Sequence, residues 1–331
     1  MNKYLKAALL ILVLVFLGFF IQATDWSGVL KSVQQVGFNF LFLILISGAS
    51  AWLSVIAWRY CLPKQESDKI SGWQLFWIRQ IGENVAILNP TSVIGGEAMK
   101  IYMLQGHGID QRQALHSILL SRTLTIISQI LMLLIAGIGF LSITVHDFSG
   151  LWAYWSLILI IPALIFGLGF IFRHRFFRAF FKTLISRLTL LERYRKTRAF
   201  VLELWLELRT FYSENRRAML FSFLASCLHW LVGSLEFYFI LLFLGIKTSI
   251  LKALLVDMGV IVFKSAGAFI PGQLGVEEYG NKVMLAIIGI AGNTIWITVS
   301  ILRRARQLSW ILLSLLIYFI SFYRRPATLQ P

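Results

Sequence analysis

Residues 81–100 read Ile81-Gly82-Glu83-Asn84-Val85-Ala86-Ile87-Leu88-Asn89-Pro90-Thr91-Ser92-Val93-Ile94-Gly95-Gly96-Glu97-Ala98-Met99-Lys100. Residues 263–278 read Phe263-Lys264-Ser265-Ala266-Gly267-Ala268-Phe269-Ile270-Pro271-Gly272-Gln273-Leu274-Gly275-Val276-Glu277-Glu278. Each is an apolar arm, a proline–glycine interruption and a second arm. Proline removes a backbone donor and pushes the residue before it out of the helical region. Glycine permits the turn. The pattern predicts two half-helices meeting at a break, with Pro90, Gly95, Gly96, Pro271, Gly272 and Gly275 as the breaking residues.

Long apolar runs surround these motifs, at 5–21, 38–58, 115–143, 151–172, 219–244 and 294–323. A helix needs about 20 apolar residues to cross a bilayer. Of the 331 residues 58% are hydrophobic and 14% charged, against about 25% charged in soluble domains. The runs are continuous, not alternating, which argues against a membrane β-barrel. The run at 5–21 is followed by Gln22-Ala23-Thr24-Asp25-Trp26, without a small-residue cleavage pattern, and is expected to stay as a first helix.

Loop charge sets the orientation. Lys3 and Lys6 place the N-terminus inside, and so do Arg59, Lys64 and Lys69 for the loop after the second run. Residues 173–217 carry twelve Lys/Arg against four acids. Within them Phe177, Phe180, Phe181, Leu184, Leu188 and Leu191 fall at helical spacing, a basic amphipathic helix on the membrane face. That helix reads as a topology anchor, with a regulatory site as the alternative. Arg324 and Arg325 hold the C-terminus inside. The expectation is a multi-pass protein of the bacterial inner membrane with both termini cytoplasmic. The net charge of +16 then faces anionic lipid and not nucleic acid.

Six spans satisfy every loop and leave two stretches over, 71–105 and 253–290. Each has to begin and end on one side, the first in the cytoplasm and the second outside. Irregular backbone survives at membrane depth only inside protein or beside a wet cavity. At an offset of 181, Pro90 aligns with Pro271, Glu97 with Glu278 and Arg122 with Arg303. The expected fold is therefore all-α: a single transmembrane domain, 1–331, of six spanning helices and two re-entrant broken hairpins in an inverted-topology repeat. Repeat one covers about 38–143, the cytoplasmic basic helix about 173–217, and repeat two about 218–323. Such repeats hold substrate between them near the midplane.

Ionisable groups at that depth cost about 2.5–3.5 kcal/mol each on insertion scales, so they pair and mark function. The candidates for substrate binding are Glu97, Arg122, Glu236, Lys264, Glu277, Glu278, Arg303, Arg304 and Arg306, with Asp257 nearby. Glu97 and Glu278 follow a break, where a helix N-terminus favours a carboxylate. Each is either self-satisfied there, a partner for Arg122 or Arg303, or a proton carrier. The cluster Arg303-Arg304-Ala305-Arg306 suits an anionic head group, which guanidinium binds as a fork; the plainer reading is a lipid anchor that snorkels. Glu236 needs a partner such as Lys264 or an arginine. Asp257 and Lys264, seven apart, share a helix face.

Other chemistry has no support. Cys61 and Cys227 are isolated and the five histidines have no ligand spacing, so neither metal nor other cofactor is expected. No catalytic constellation and no phosphate loop of the Walker type is present.

In the segments Asn89-Pro90 through Glu97, Ser121-Arg122 and Pro271 through Glu278, the chain resembles the lysylphosphatidylglycerol-synthase transmembrane, or flippase-like, family. Gly233-Ser234-Leu235-Glu236 and Ser300 through Arg306 are most similar to its hopanoid-associated HpnL-type members. The resemblance covers nearly the whole chain. Gln273 departs from it, since many members carry a small residue or glycine there. It implies a lipid translocase without a soluble synthase domain, its partners being membrane lipids such as a hopanoid or a phospholipid. The alternatives are a small-solute or ion transporter and an intramembrane lipid-modifying enzyme. The expectation is a carrier and not an enzyme.

Overall fold

The computed structural model describes residues 26–88, 93–144, 210–211, 213–267, 273, 275–290 and 292–320. Every regular element among them is a helix: α1 Trp26–Val36, α2 Asn39–Cys61, α3 Lys64–Ser67, α4 Gly72–Leu88, α5 Val93–Gln105, α6 Gln111–Thr144, α7 Arg216–Phe243, α8 Ile250–Ala266, α9 Val276–Ile287 and α10 Asn293–Tyr318. The runs at 5–21 and 151–172, most of the basic segment at 173–217, and Pro90, Pro271 and Gly272 lie outside the described residues.

Local chemistry sets several helix starts. Ser71 and Gln74 exchange backbone-to-side-chain bonds before α4. Asp110 accepts from the Arg112 and Gln113 amides at α6, and Ser249 from Lys252 at α8. Helix α2 stops where Leu62 turns extended ahead of Pro63.

Helices α2, α6 and α7 are long and apolar enough to cross a membrane. Their outward faces are apolar too: Leu41 and Leu45 on α2, Ile126, Ile130 and Leu134 on α6, Leu220 and Leu224 on α7 are all exposed. A water-soluble surface does not carry such stripes. The run expected at 294–323 forms α10, whose 26 residues span about 39 Å. Its three arginines keep it out of the apolar class.

Adding 181 to the starts of α2, α4, α5 and α6 lands within four residues of the starts of α7, α8, α9 and α10. Helices α2 and α7 pack along their whole length in opposite directions. Phe42 meets Phe239 with ring centroids 4.8 Å apart, Ser50 meets His229, and Cys61 Sγ lies 3.3 Å from Ser222 Oγ.

Helices α4 and α5 pack as a hairpin, and so do α8 and α9. Lys69 Nζ donates to the Gly108 carbonyl at 3.0 Å, so the chain enters and leaves the first hairpin at one end. Lys252 reaches the Ile288 carbonyl at 3.5 Å at the mouth of the second. Because α2 leads into the first hairpin and α7 into the second, the two mouths lie at opposite ends of the α2–α7 pair.

Gly95 and Gly96, expected in the break, lie within α5 instead. Gly96 serves close packing: a Cβ on it would lie 2.5 Å from the Gly82 carbonyl oxygen, so two helix backbones touch here. Gly275 does sit at a turn, with φ +81 ahead of α9.

Candidate functional site

The contact of Gly82 with Gly96 brings together two charged faces. On α4, Arg79 and Glu83 are four residues apart; on α5, Glu97 and Lys100 are three apart, so each pair shares a side. Lys100 Nζ lies 2.8 Å from Glu83 and 3.2 Å from Glu97. Arg122 of α6 closes the set, its Nη1 2.6 Å from Glu97. Glu97 is the fifth residue of α5, beyond the first turn, and is held by these two cations and not by the helix end.

These groups line a cavity of about 290 Å³. Ser54 of α2, His229 and Trp230 of α7, and Ile261 and Ser265 of α8 complete it, so both sequence halves supply walls. Three cations face two carboxylates. Arg79 donates to Ser54 Oγ at 2.9 Å and Gln80 Oε1 at 3.1 Å, and has no ion-pair partner among the described residues. The Arg122 side chain is 39% exposed and pairs through one nitrogen. Guanidinium has five donors, so both arginines keep unused ones. His229 Nδ1 lies 2.8 Å from the Ser50 carbonyl oxygen. A carbonyl only accepts, so this nitrogen carries a proton. Ser50 Oγ donates back to the His229 carbonyl at 3.0 Å.

A second charged cluster lies among α7, α8, α9 and α10, and it is closed. Arg303 Nε lies 3.0 Å from Glu277, and its Nη1 3.2 Å from Asp257 and 3.7 Å from Glu236. Its guanidinium carbon stands 4.2 Å over the buried Phe237 ring. Arg306 bonds Glu236, and Lys264 lies 3.2 Å from Glu277. Arg304 bonds Glu278 at 2.8 Å and the Gln273 carbonyl at 3.3 Å. Four cations meet four carboxylates here, and Glu236, Asp257, Glu277, Arg303 and Arg304 are buried.

The structure thus gathers Glu97 with Arg122, and gathers Glu236, Asp257, Lys264, Glu277, Arg303 and Arg306 with one another. The fixed offset of 181 would pair Glu278 with Arg303. Glu278 instead takes Arg304, while Arg303 takes Glu277, a slip of one residue. Glu278 also accepts the Gly275 amide at 2.8 Å, so it caps its helix and holds an arginine at once. Sequence reading passed over Arg79, Glu83, Lys100 and His229. The first three carried a signal in their three- and four-residue charge spacings inside an apolar hairpin. His229 carried none, since its partner is 179 residues away.

The model of the lysylphosphatidylglycerol synthase transmembrane region matches residues 5–316. The chain belongs to this family. Neither the curated proteins nor the solved structures yield a match. Membership, with the apolar exteriors of α2, α6 and α7, makes this a membrane-embedded, lipid-related protein of the lysylphosphatidylglycerol synthase transmembrane family.

Proposed function

We propose that the chain is a lipid translocase. The cavity lined by Arg79, Lys100 and Arg122 takes a polar or anionic head group, and the tails stay in the bilayer. The observation that carries this reading is a charged cavity, rich in unused guanidinium donors, walled by helices of both halves. Its volume of about 290 Å³ sits at the small end of ligand pockets, about 300–1,000 Å³. It suits a head group and is too small for a whole lipid. In the second cluster every cation has a carboxylate, so that cluster acts as a neutral clamp that holds the hairpin of α8 and α9 to α7 and α10.

On this reading the chain forms an inverted repeat of six spans and two re-entrant hairpins, in a bacterial inner membrane with cytoplasmic termini. The antiparallel packing of α2 on α7 and the opposed hairpin mouths support the inversion. Movement of the hairpins would alternate access to the cavity. The lipid is a phospholipid or, following the HpnL-type resemblance, a hopanoid with a polar head. The protein is a carrier and not an enzyme.

The test is head-group movement across liposomes containing the full chain. Arg122→Gln and Glu97→Gln each lose a charge-assisted hydrogen bond worth about 1.5–3 kcal/mol, so transfer should slow about tenfold or more. Wild-type rates in both variants overturn the assignment. A cavity this small also suits a small solute. Uptake of an ion or solute with no lipid movement would establish that second reading.

A further inference from the structure

A larger concavity, about 1180 Å³, lies away from the charged cavity. It forms where the C-terminal end of α2 meets the N-terminal ends of α6 and α7. All three are membrane-crossing in length and composition, so their shared polar ends mark a water–lipid boundary. Arg59, Lys64 and Arg112 line it, with Glu214 as the acid. None of these three cations has an ion-pair partner among the described residues; Arg59 donates only to Ser67 Oγ, at 3.1 Å. Ion pairing satisfies the cations of the second cluster, whereas this set has an unanswered positive charge.

Beside the polar side chains of Ser67, Gln113, His116, Ser117, Thr210 and Asn215, the wall has an apolar part. Ile56, Leu120, Tyr60 and Phe211 line it. Tyr60 stacks on Phe221, centroids 5.4 Å apart. Phe221 is 50% exposed and continues the apolar exterior of α7. The groove is thus basic at one end and opens toward lipid at the other. We propose that it binds a resident anionic phospholipid, its phosphate on Arg59, Lys64 and Arg112 and its tails over Tyr60 and Phe221. This site is separate from the translocation cavity and does not depend on that reading. In the sequence, residues 173–209 carry ten Lys/Arg against three acids, so charge disfavours that segment as the occupant.

The full chain is reconstituted in nanodiscs of equal phosphatidylglycerol and phosphatidylcholine, extracted in detergent, and its retained lipid quantified. Wild type should retain phosphatidylglycerol selectively. The triple variant Arg59→Gln, Lys64→Gln, Arg112→Gln should lower that retention about tenfold or more, while Lys247→Gln, exposed at the opposite end of the α2–α7 pair, leaves it unchanged. Should the triple variant misfold, Arg112→Gln alone, at an exposed position, should still give a measurable loss. Equal retention of the two lipids by wild type overturns the proposal. So does undiminished phosphatidylglycerol in the variants, or an equal loss caused by Lys247→Gln.

Discussion

Arg303 and Arg122 are both arginines in long helices, α10 and α6, yet their surroundings assign them different work. Arg303 is 5% exposed and touches three carboxylates. Removing it leaves the buried Asp257 without an ion-pair partner among the described residues, which costs about 3–5 kcal/mol. Arg303→Gln should therefore lower the unfolding temperature in detergent sharply. Arg122, half-exposed to the cavity, is worth about 1 kcal/mol or less to stability, so Arg122→Gln should melt near wild type while transfer falls. Equal melting of the two variants would show the second cluster to be no clamp. At Gly275 the φ of +81 has open space around it, so Gly275→Ala meets only backbone strain. The expected loss is about 1–2 kcal/mol, read from the same melts. Gln273 holds φ +51 without being glycine. Its carbonyl is tied to Arg304.

At the scale of elements, the joint between α4 and α5 is made of backbone. A Cβ at Gly82 would meet Lys100 Cγ at 2.5 Å as well as the Gly96 carbonyl oxygen at 3.0 Å. Gly96→Ala has no flexible side chain to displace on the Gly82 side, so the two helices have to separate. Lys100 would then lose Glu83, and the cavity would open. Transfer and thermal stability should both drop in Gly96→Ala. Gly137 of α6 has nothing within 4 Å, so Gly137→Ala should be neutral or gain about 0.5–1 kcal/mol of helix stability. If the two alanine variants behave alike, the close approach is not what positions the charges.

For the whole molecule, the arrangement of hairpin mouths makes a topological prediction. Cys61 and Cys227 are buried and can be replaced by serine to give a cysteine-free background. Single cysteines at Asp68→Cys and Gln105→Cys should react with an impermeant maleimide from the same side of sealed vesicles. Lys247→Cys, before the second hairpin, should react from the other. Labelling of positions 68 and 105 from opposite sides would make 71–105 a true span and remove the inverted repeat.

The sequence by itself determined that this chain lives in a membrane, that its helices include long apolar ones, and that acids and arginines are placed among them. Hydrophobic run length and backbone breakers are local properties, and a linear reading captures them. Only the tertiary structure decided which charges meet. The Arg303 cluster, an attractive head-group site on paper, is saturated by carboxylates contributed from three other helices. The open donors belong to Arg79 and Arg122, beside a histidine whose serine partner lies 179 residues away in the sequence. Ion-pair partners are chosen by helix packing to within an ångström, and a one-residue slip between α9 and α10 reassigns the Glu278–Arg303 pair that a fixed sequence offset would draw.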